Sequence, residues 1–267
     1  MPLILATDVD GTITDKNRRL SLKAARLLRK LQEMKVVVIL VSSHAFPAVS
    51  TLADYLGINY IIAETGVCGG SPWKPLFVRR IKNREVVLES LIKHNFTPTE
   101  SNSFRLGDIA VYPPKNMTID DALILLDKIV KEFDLDYTYS GFAIHIFPRG
   151  VNKGWGLRTL LECIKTNGPI IVLGDGENDI PLFEKADLAI TSIESPKKLR
   201  DAADIIMPFN SIDTTLYTLE IIERFQTQQC DCKEVCAYDV RCRKYAPLLQ
   251  TDAVAVAQCH VSSAPTR

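Results

Sequence analysis

The chain is expected to fold as an α/β protein, an open parallel sheet with helices on both faces, interrupted by an inserted α+β unit. Three observations predict this. Short apolar runs rich in β-branched residues alternate with stretches of helical periodicity. Carboxylates stand directly after two of those runs. The middle of the chain changes to closely spaced strands with a turn between them, the pattern of a separate α+β layer.

The first run, Leu3-Ile4-Leu5-Ala6, leads into Asp8-Val9-Asp10-Gly11-Thr12. Open parallel sheets bind ligands at the carboxyl edge of their strands, and this strand ends in two carboxylates. Gly11 permits a sharp departure from the pleat, so Asp10 need not stay beside Asp8. One carboxylate can then attack while the other delivers a proton. Two adjacent anions repel, which implies a divalent cation between them.

Ser21 is placed to cap a helix with Leu22, Ala25, Leu28 and Leu31 on one face. The strand Val36–Val41 follows and ends at Ser42-Ser43-His44. The Ser42 hydroxyl, with backbone N–H groups at the start of the next helix, suits a phosphate oxygen. That helix is expected from Pro47 to Leu56, and a short strand over Tyr60-Ile61-Ile62.

In the second half, Lys153 lies in the glycine-rich entry to an amphipathic helix carrying Leu157, Leu160, Leu161 and Ile164. A cation here neutralises phosphate and nucleophilic carboxylate together. Pro169–Leu173 reads as another buried strand and runs into Gly174-Asp175-Gly176-Glu177-Asn178-Asp179, a second pair of carboxylates at a strand end. Such oxygen clusters suit Mg²⁺, which takes carboxylates, water and substrate phosphate. Asp179 is expected to open the helix carrying Pro181, Leu182 and Phe183. Short strands at Leu188–Ile190 and Ile205–Met207, a helix near 195–203 and a last helix over 212–225 complete the pattern.

The inserted stretch is expected to hold a strand near 74–82, a helix over 84–94, a strand at Ile109–Tyr112 and a helix opened by Thr118 or Asp120. Two strands near 136–140 and 142–147 then flank Gly141. The boundaries follow: residues 1–72 and 150–226 form the core, 73–149 the insert, and 227–267 a peripheral tail.

Equal numbers of basic and acidic residues, 32 each, with 46% hydrophobic content describe a globular chain with sizeable cores. No basic field argues for nucleic acid, and no apolar run is long enough to span a membrane. The chain is expected in the cytoplasm, acting on a small phosphorylated metabolite, and a homodimer is left open. Cys68 and Cys163 are expected as inert core thiols. The remaining cysteines (230, 232, 236, 242 and 259) lack a paired zinc spacing.

The ordered set Asp8/Asp10, Ser42, Lys153 and Asp175/Asp179 resembles the four motifs of haloacid dehalogenase superfamily phosphatases. Gly174–Asp179 together with Val151-Asn152-Lys153-Gly154 resembles the branch with a large cap between the second and third motifs. The chain is most similar to its archaeal-type phosphoglycolate phosphatases, over residues 1–226. Ser42-Ser43-His44 departs from the Thr-Gly-Arg of sugar-phosphatase relatives, and Glu64-Thr65-Gly66 from the common Glu-Asn-Gly.

The resemblance implies a Rossmann-like core, a cap domain and Mg²⁺-dependent phosphomonoester hydrolysis through an aspartyl-phosphate. Asp8 would be the nucleophile and Asp10 the acid and base. Ser42, Lys153 and Asn178 would hold phosphate oxygens. Asp8, the Asp10 backbone carbonyl, Asp175 and a water-mediated Asp179 would hold the metal. 2-Phosphoglycolate is the expected substrate, with a sugar phosphate as the alternative. Arg79, Arg80, Arg84, Arg105, Lys115 and Arg149 are the candidate cations for its carboxylate. A non-catalytic binding relative would have lost the first Asp, the Lys or the acidic pair, and none is missing.

Overall fold

The computed structural model describes residues 1–227. The first half runs β1 (Ile4–Asp8), α1 (Leu22–Glu33), β2 (Val37–Val41), α2 (Phe46–Leu56), β3 (Tyr60–Ala63), β4 (Cys68–Ser71) and β5 (Lys74–Val78). The middle contributes α3 (Arg84–Lys93), β6 (Thr97–Pro98), β7 (Ile109–Tyr112), α4 (Ile119–Glu132), β8 (Leu135–Tyr139) and β9 (Ile144–Pro148). The last part runs α5 (Lys153–Cys163), β10 (Ile170–Leu173), α6 (Ile180–Phe183), β11 (Leu188–Ser192), α7 (Lys197–Ala202), β12 (Ile205–Met207) and α8 (Ser211–Gln226).

The large sheet has the order β12-β11-β10-β1-β2-β3-β4-β5. Its strands are parallel from β12 through β3, while β4 and β5 are antiparallel additions at one edge. Strand alternation divides the apolar residues between two faces. Leu3, Leu5, Val38, Leu40 and Ile61 pack with α1, α2 and α8, whereas Ile4, Ala6, Ile39, Val41 and Ile62 pack with α5, α6 and α7. Ser21 caps α1 as expected, its Oγ accepting from the Ala24 N–H at 3.3 Å.

The strand expected near 74–82 forms as β5, but it belongs to the large sheet rather than the insert. It pairs with β4 through Cys68↔Val78 and Ser71↔Lys74. The core sheet therefore extends past residue 72, and the insert begins after Val78. An edge hairpin carries no local mark of which sheet it will join. The smaller sheet, β6-β7-β9-β8, is antiparallel throughout. Val87 and Leu91 of α3 and Ala122, Leu126 and Ile129 of α4 close a separate core against it.

Cys68 is buried as expected, but Cys163 is exposed. The buried stripe of α5 passes through Leu157 and Leu160, and Cys163 lies off that stripe at the helix end. The cysteines from 230 onward lie outside the described residues.

Candidate active site

Register brings the motifs to one edge. Val41 stands opposite Asp8, and Leu173 opposite Thr7. Ser42 and Gly174-Asp175 therefore emerge beside Asp8, where β1 lies between strands that follow it and strands from the end of the chain. That is the switch point at which open α/β sheets bind ligands. Beyond Asp8 the chain turns tightly, the N–H groups of Ile13 and Thr14 donating to Val9 O at 3.0 and 3.3 Å. Gly11 adopts φ +76°, and a Cβ there would lie 2.0 Å from Asp175 Oδ2. Only glycine lets the two acidic loops approach this closely.

Lys153 opens α5, with Asn152 as N-cap accepting from the Trp155 N–H at 2.8 Å. A cation at a helix N-terminus opposes the helix dipole, and this one is also fully buried. Two carboxylates offset both costs. Lys153 Nζ donates to Asp8 Oδ1 at 2.6 Å and to Asp179 Oδ1 at 2.5 Å. Burial would depress the ammonium, but Asp179 and Asp8 outweigh it and raise the Lys153 pKa above its ordinary value. Asp179 Oδ2 accepts from the N–H groups of Asp175 and Gly176, both at 3.1 Å. Asp179 is the residue before α6 but does not cap it with its side chain; the side chain ties Lys153 to the Asp175 loop instead.

One carboxylate oxygen from each of Asp8, Asp175 and Asp179 lies within 4.8 Å of the others. Three carboxylates face one ammonium, leaving a surplus of negative charge in a buried place. Burial, with repulsion from Asp179 and Asp175 and despite Lys153, holds Asp8 well above the carboxylate range. Burial and Asp179 push Asp175 up to about 7. A hard divalent cation would relieve this surplus, and the donors are all oxygen, so the residues fit Mg²⁺. Both Asp179 oxygens are already engaged, which suits an outer place for it in such a shell.

The Asp10 carboxylate stands apart from that cluster. Its Oδ2 lies 2.6 Å from His44 Nε2, and its Oδ1 accepts from Arg18 Nε at 3.2 Å. Burial alone would raise the Asp10 pKa, but the His44 hydrogen bond and the charges of His44 and Arg18 bring it below the usual value. Ser42 is buried and its Oγ accepts from the His44 N–H at 3.1 Å. Asn178 Nδ2 donates to Ser43 Oγ at 3.3 Å, joining the β10 loop to the β2 loop.

Asp8, Asp10, Ser42, Asp175 and Asn178 border a cleft of about 1100 Å³ that the insert roofs with Arg105, Tyr112, Phe142 and His145, among others. Arg105 is the one residue of the six candidate cations that lines it, and Arg105 is already committed. It donates to both Asp108 oxygens at 2.9 and 2.7 Å and to Ser43 O at 3.1 Å.

Glu64 also has a role the residue pattern did not reveal. Its fully buried carboxylate accepts from the N–H groups of Leu106, Gly107 and Asp108 in the insert and from Phe46 at the start of α2. Burial, with repulsion from Asp108, outweighs these amides and raises its pKa to about 7. The missed residues carried weak signals. Arg18 sits in Asp15-Lys16-Asn17-Arg18-Arg19, which reads as a solvated loop; His44 showed only as a departure from a family pattern, and Glu64 only as the neighbour of another at Thr65.

A family model of haloacid dehalogenase-like hydrolases matches residues 5–98 and 113–219. The chain belongs to the haloacid dehalogenase-like hydrolase family. A phosphoglycolate phosphatase of Methanothermobacter thermautotrophicus is 29% identical over 205 residues, covering 76% of this chain and 90% of its own. One of Sulfolobus acidocaldarius is 30% identical over 216 residues, covering 76% and 89%. A solved structure from Thermoplasma acidophilum shares the fold with a TM-score of 0.72 at 22% identity, covering 83% of this chain and 98% of its own. Among the described residues, no helix is long and apolar enough to cross a membrane.

Proposed function

We propose that this chain is a Mg²⁺-dependent phosphomonoesterase that hydrolyses 2-phosphoglycolate to glycolate and phosphate. The phosphoric monoester hydrolase class rests on the family and on relatives that carry the name phosphoglycolate phosphatase. The observation that carries the chemistry is the division of the carboxylates. Asp8 is clamped by Lys153 beside the acidic cluster, and Asp10 is held separately by His44 and Arg18.

Asp8 Oδ2, the oxygen not held by Lys153, attacks phosphorus and forms an aspartyl-phosphate. Lys153 offsets the repulsion between this carboxylate and its anionic target. Ser42 and Asn178 hold phosphate oxygens at the mouths of the β2 and β10 loops. Asp10, in its protonated form, gives its proton to the leaving alkoxide and takes one back from the water that releases phosphate. Bound Mg²⁺, held by Asp8, the Asp10 carbonyl and Asp175 with Asp179 behind, would supply further charge neutralisation. The insert, positioned through Glu64 and Arg105, shields the cleft from water.

The test is a panel of kcat/KM values for phosphoglycolate, glycerol phosphates, hexose phosphates and sucrose phosphate. Phosphoglycolate is expected to lead. A hexose or sucrose phosphate better by tenfold, about 1.4 kcal/mol of transition-state preference, would overturn the substrate and leave the chemistry standing.

A further inference from the structure

The cleft is far larger than a two-carbon phosphate, so selectivity for one must come from the groups nearest the reacting atoms. In phosphoglycolate a single carbon separates the ester oxygen from the carboxylate. Whatever protonates that oxygen therefore stands close to the carboxylate as well. Asp10 is the proposed proton donor, and the basic side chains touching it, Arg18 and His44, come from the core rather than from the insert.

Of the insert's candidates, Arg105 is bound to Asp108, Arg84 donates to Asn102 and to Asp108 O, and Arg149 pairs with Asp134. Arg79, Arg80 and Lys115 are exposed and do not border the cleft. Lys16 borders it but pairs with Glu194 at 3.4 Å, with its own side chain 87% exposed. His145 is buried and its Nε2 lies 3.2 Å from Ser140 Oγ.

Arg18 differs from all of these. It adopts φ +61° in a loop that holds itself in place. Asp15 Oδ1 accepts from the Asn17 and Arg19 N–H groups at 2.8 and 2.9 Å, and the Arg18 N–H donates to Asp15 O at 2.9 Å. The guanidinium lies 5.3 Å from the centre of the Phe142 ring, which Tyr112 meets edge-on. It is thus set between Asp10 and an aromatic wall of the insert, a geometry suited to a planar cation.

Donors outnumber acceptors at this point. Arg18 Nη2 stands 2.9 Å from His44 Nε2, the same nitrogen that lies 2.6 Å from Asp10 Oδ2. That nitrogen cannot both donate to Asp10 and accept from Arg18. Among the described residues, Arg18 Nη1 donates to no acceptor, and the side chain is 48% exposed. A second carboxylate would use these donors. We propose that Arg18, with His44, is the receptor for the substrate's carboxylate, so that a loop of the core, not the insert, selects a phosphorylated 2-hydroxy acid. This deepens the phosphoglycolate reading and rests on it.

The experiment compares phosphoglycolate with 2-hydroxyethyl phosphate, in which a neutral CH₂OH replaces the carboxylate. kcat/KM is measured for both in the wild type, Arg18→Ala, Arg18→Lys and His44→Asn, all with Mg²⁺. The wild type should prefer the carboxylate by about 100-fold, the range of a charge-assisted hydrogen-bonded pair. Arg18→Ala should lose at least about tenfold of that ratio, Arg18→Lys should retain part of it, and competitive inhibition by glycolate should weaken in parallel. If Arg18→Ala and Arg18→Lys, folded by circular dichroism, slow both substrates equally and keep the ratio, Arg18 merely holds Asp10 and the proposal is overturned. A wild-type ratio near one would instead remove the phosphoglycolate reading itself, and this inference with it.

Discussion

Lys153 Nζ stands 2.6 Å from Asp8 Oδ1, with the lysine fully buried and the aspartate side chain 9% exposed. The pair adds little net stability, because desolvating two charges costs about as much as their attraction returns. Removing one partner has unequal consequences on the two sides. Lys153→Met leaves Asp8 and Asp179 without their cation and should destabilise the metal-free protein by about 3 kcal/mol, read from urea unfolding.

Asp8→Asn goes the other way. It removes a carboxylate that burial and its acidic neighbours disfavour in the ionised form, so unfolding midpoints should hold or rise. Turnover should fall by about 10⁴-fold or more. Substantial turnover by this variant, with deamidation excluded by mass spectrometry, would sink the nucleophile assignment.

Chelation should abolish activity reversibly. Mg²⁺ at about 100 times its Kd should stabilise the protein by about 2.7 kcal/mol, visible as a rise in Tm. Asp175→Asn should lose most of that rise while leaving the Lys153 clamp intact, since Lys153 contacts Asp8 and Asp179. A full Mg²⁺ shift in Asp175→Asn would remove Asp175 from the metal site.

Stability should depend on pH through Glu64 and Asp175. Both folded pKa values are raised to about 7, from 4.5 and 3.8. The folded state then binds more protons than the unfolded state across that interval, so each contribution is present at low pH and lost as pH rises through about 7. Asp10 and Asp108 are shifted the opposite way, so their contributions are lost as pH falls below the ordinary carboxylate range. Between pH 5 and 8, metal-free wild type should lose stability relative to Glu64→Gln. A constant difference over that range would show that Glu64 does not titrate there.

Deleting residues 230–267 should leave kcat/KM within about twofold, because every residue assigned a role above lies before α8 ends at Gln226. A large loss in a soluble, folded truncation would bring that segment into the site or an interface. Stoichiometric zinc in the full chain would overturn the reading of its cysteines.

The acidic motifs were legible because their signal is local. An apolar run followed by Asp, with Gly close behind, specifies a buried strand and a tight exit, and parallel pairing brings two such ends together at Asp8 and Asp175. Helix faces were legible for the same reason: Leu28 and Leu31, or Leu157 and Leu160, recur at the helical period and are buried, whereas Leu22, expected on the first of these faces, is exposed at the first turn of its helix. What the tertiary structure decided depends on partners distant in the chain. Nothing local tells that Lys74–Val78 closes the edge of the core sheet, or that the Glu64 carboxylate gathers amides from residues 106–108. Arg18 in a run of charged loop residues looks like solvated surface, and it acquires meaning only where three loops converge to set it between Asp10 and Phe142. Period and turn chemistry are written along the chain, whereas the charge around the Asp10 carboxylate is set by whichever loops the fold carries to it.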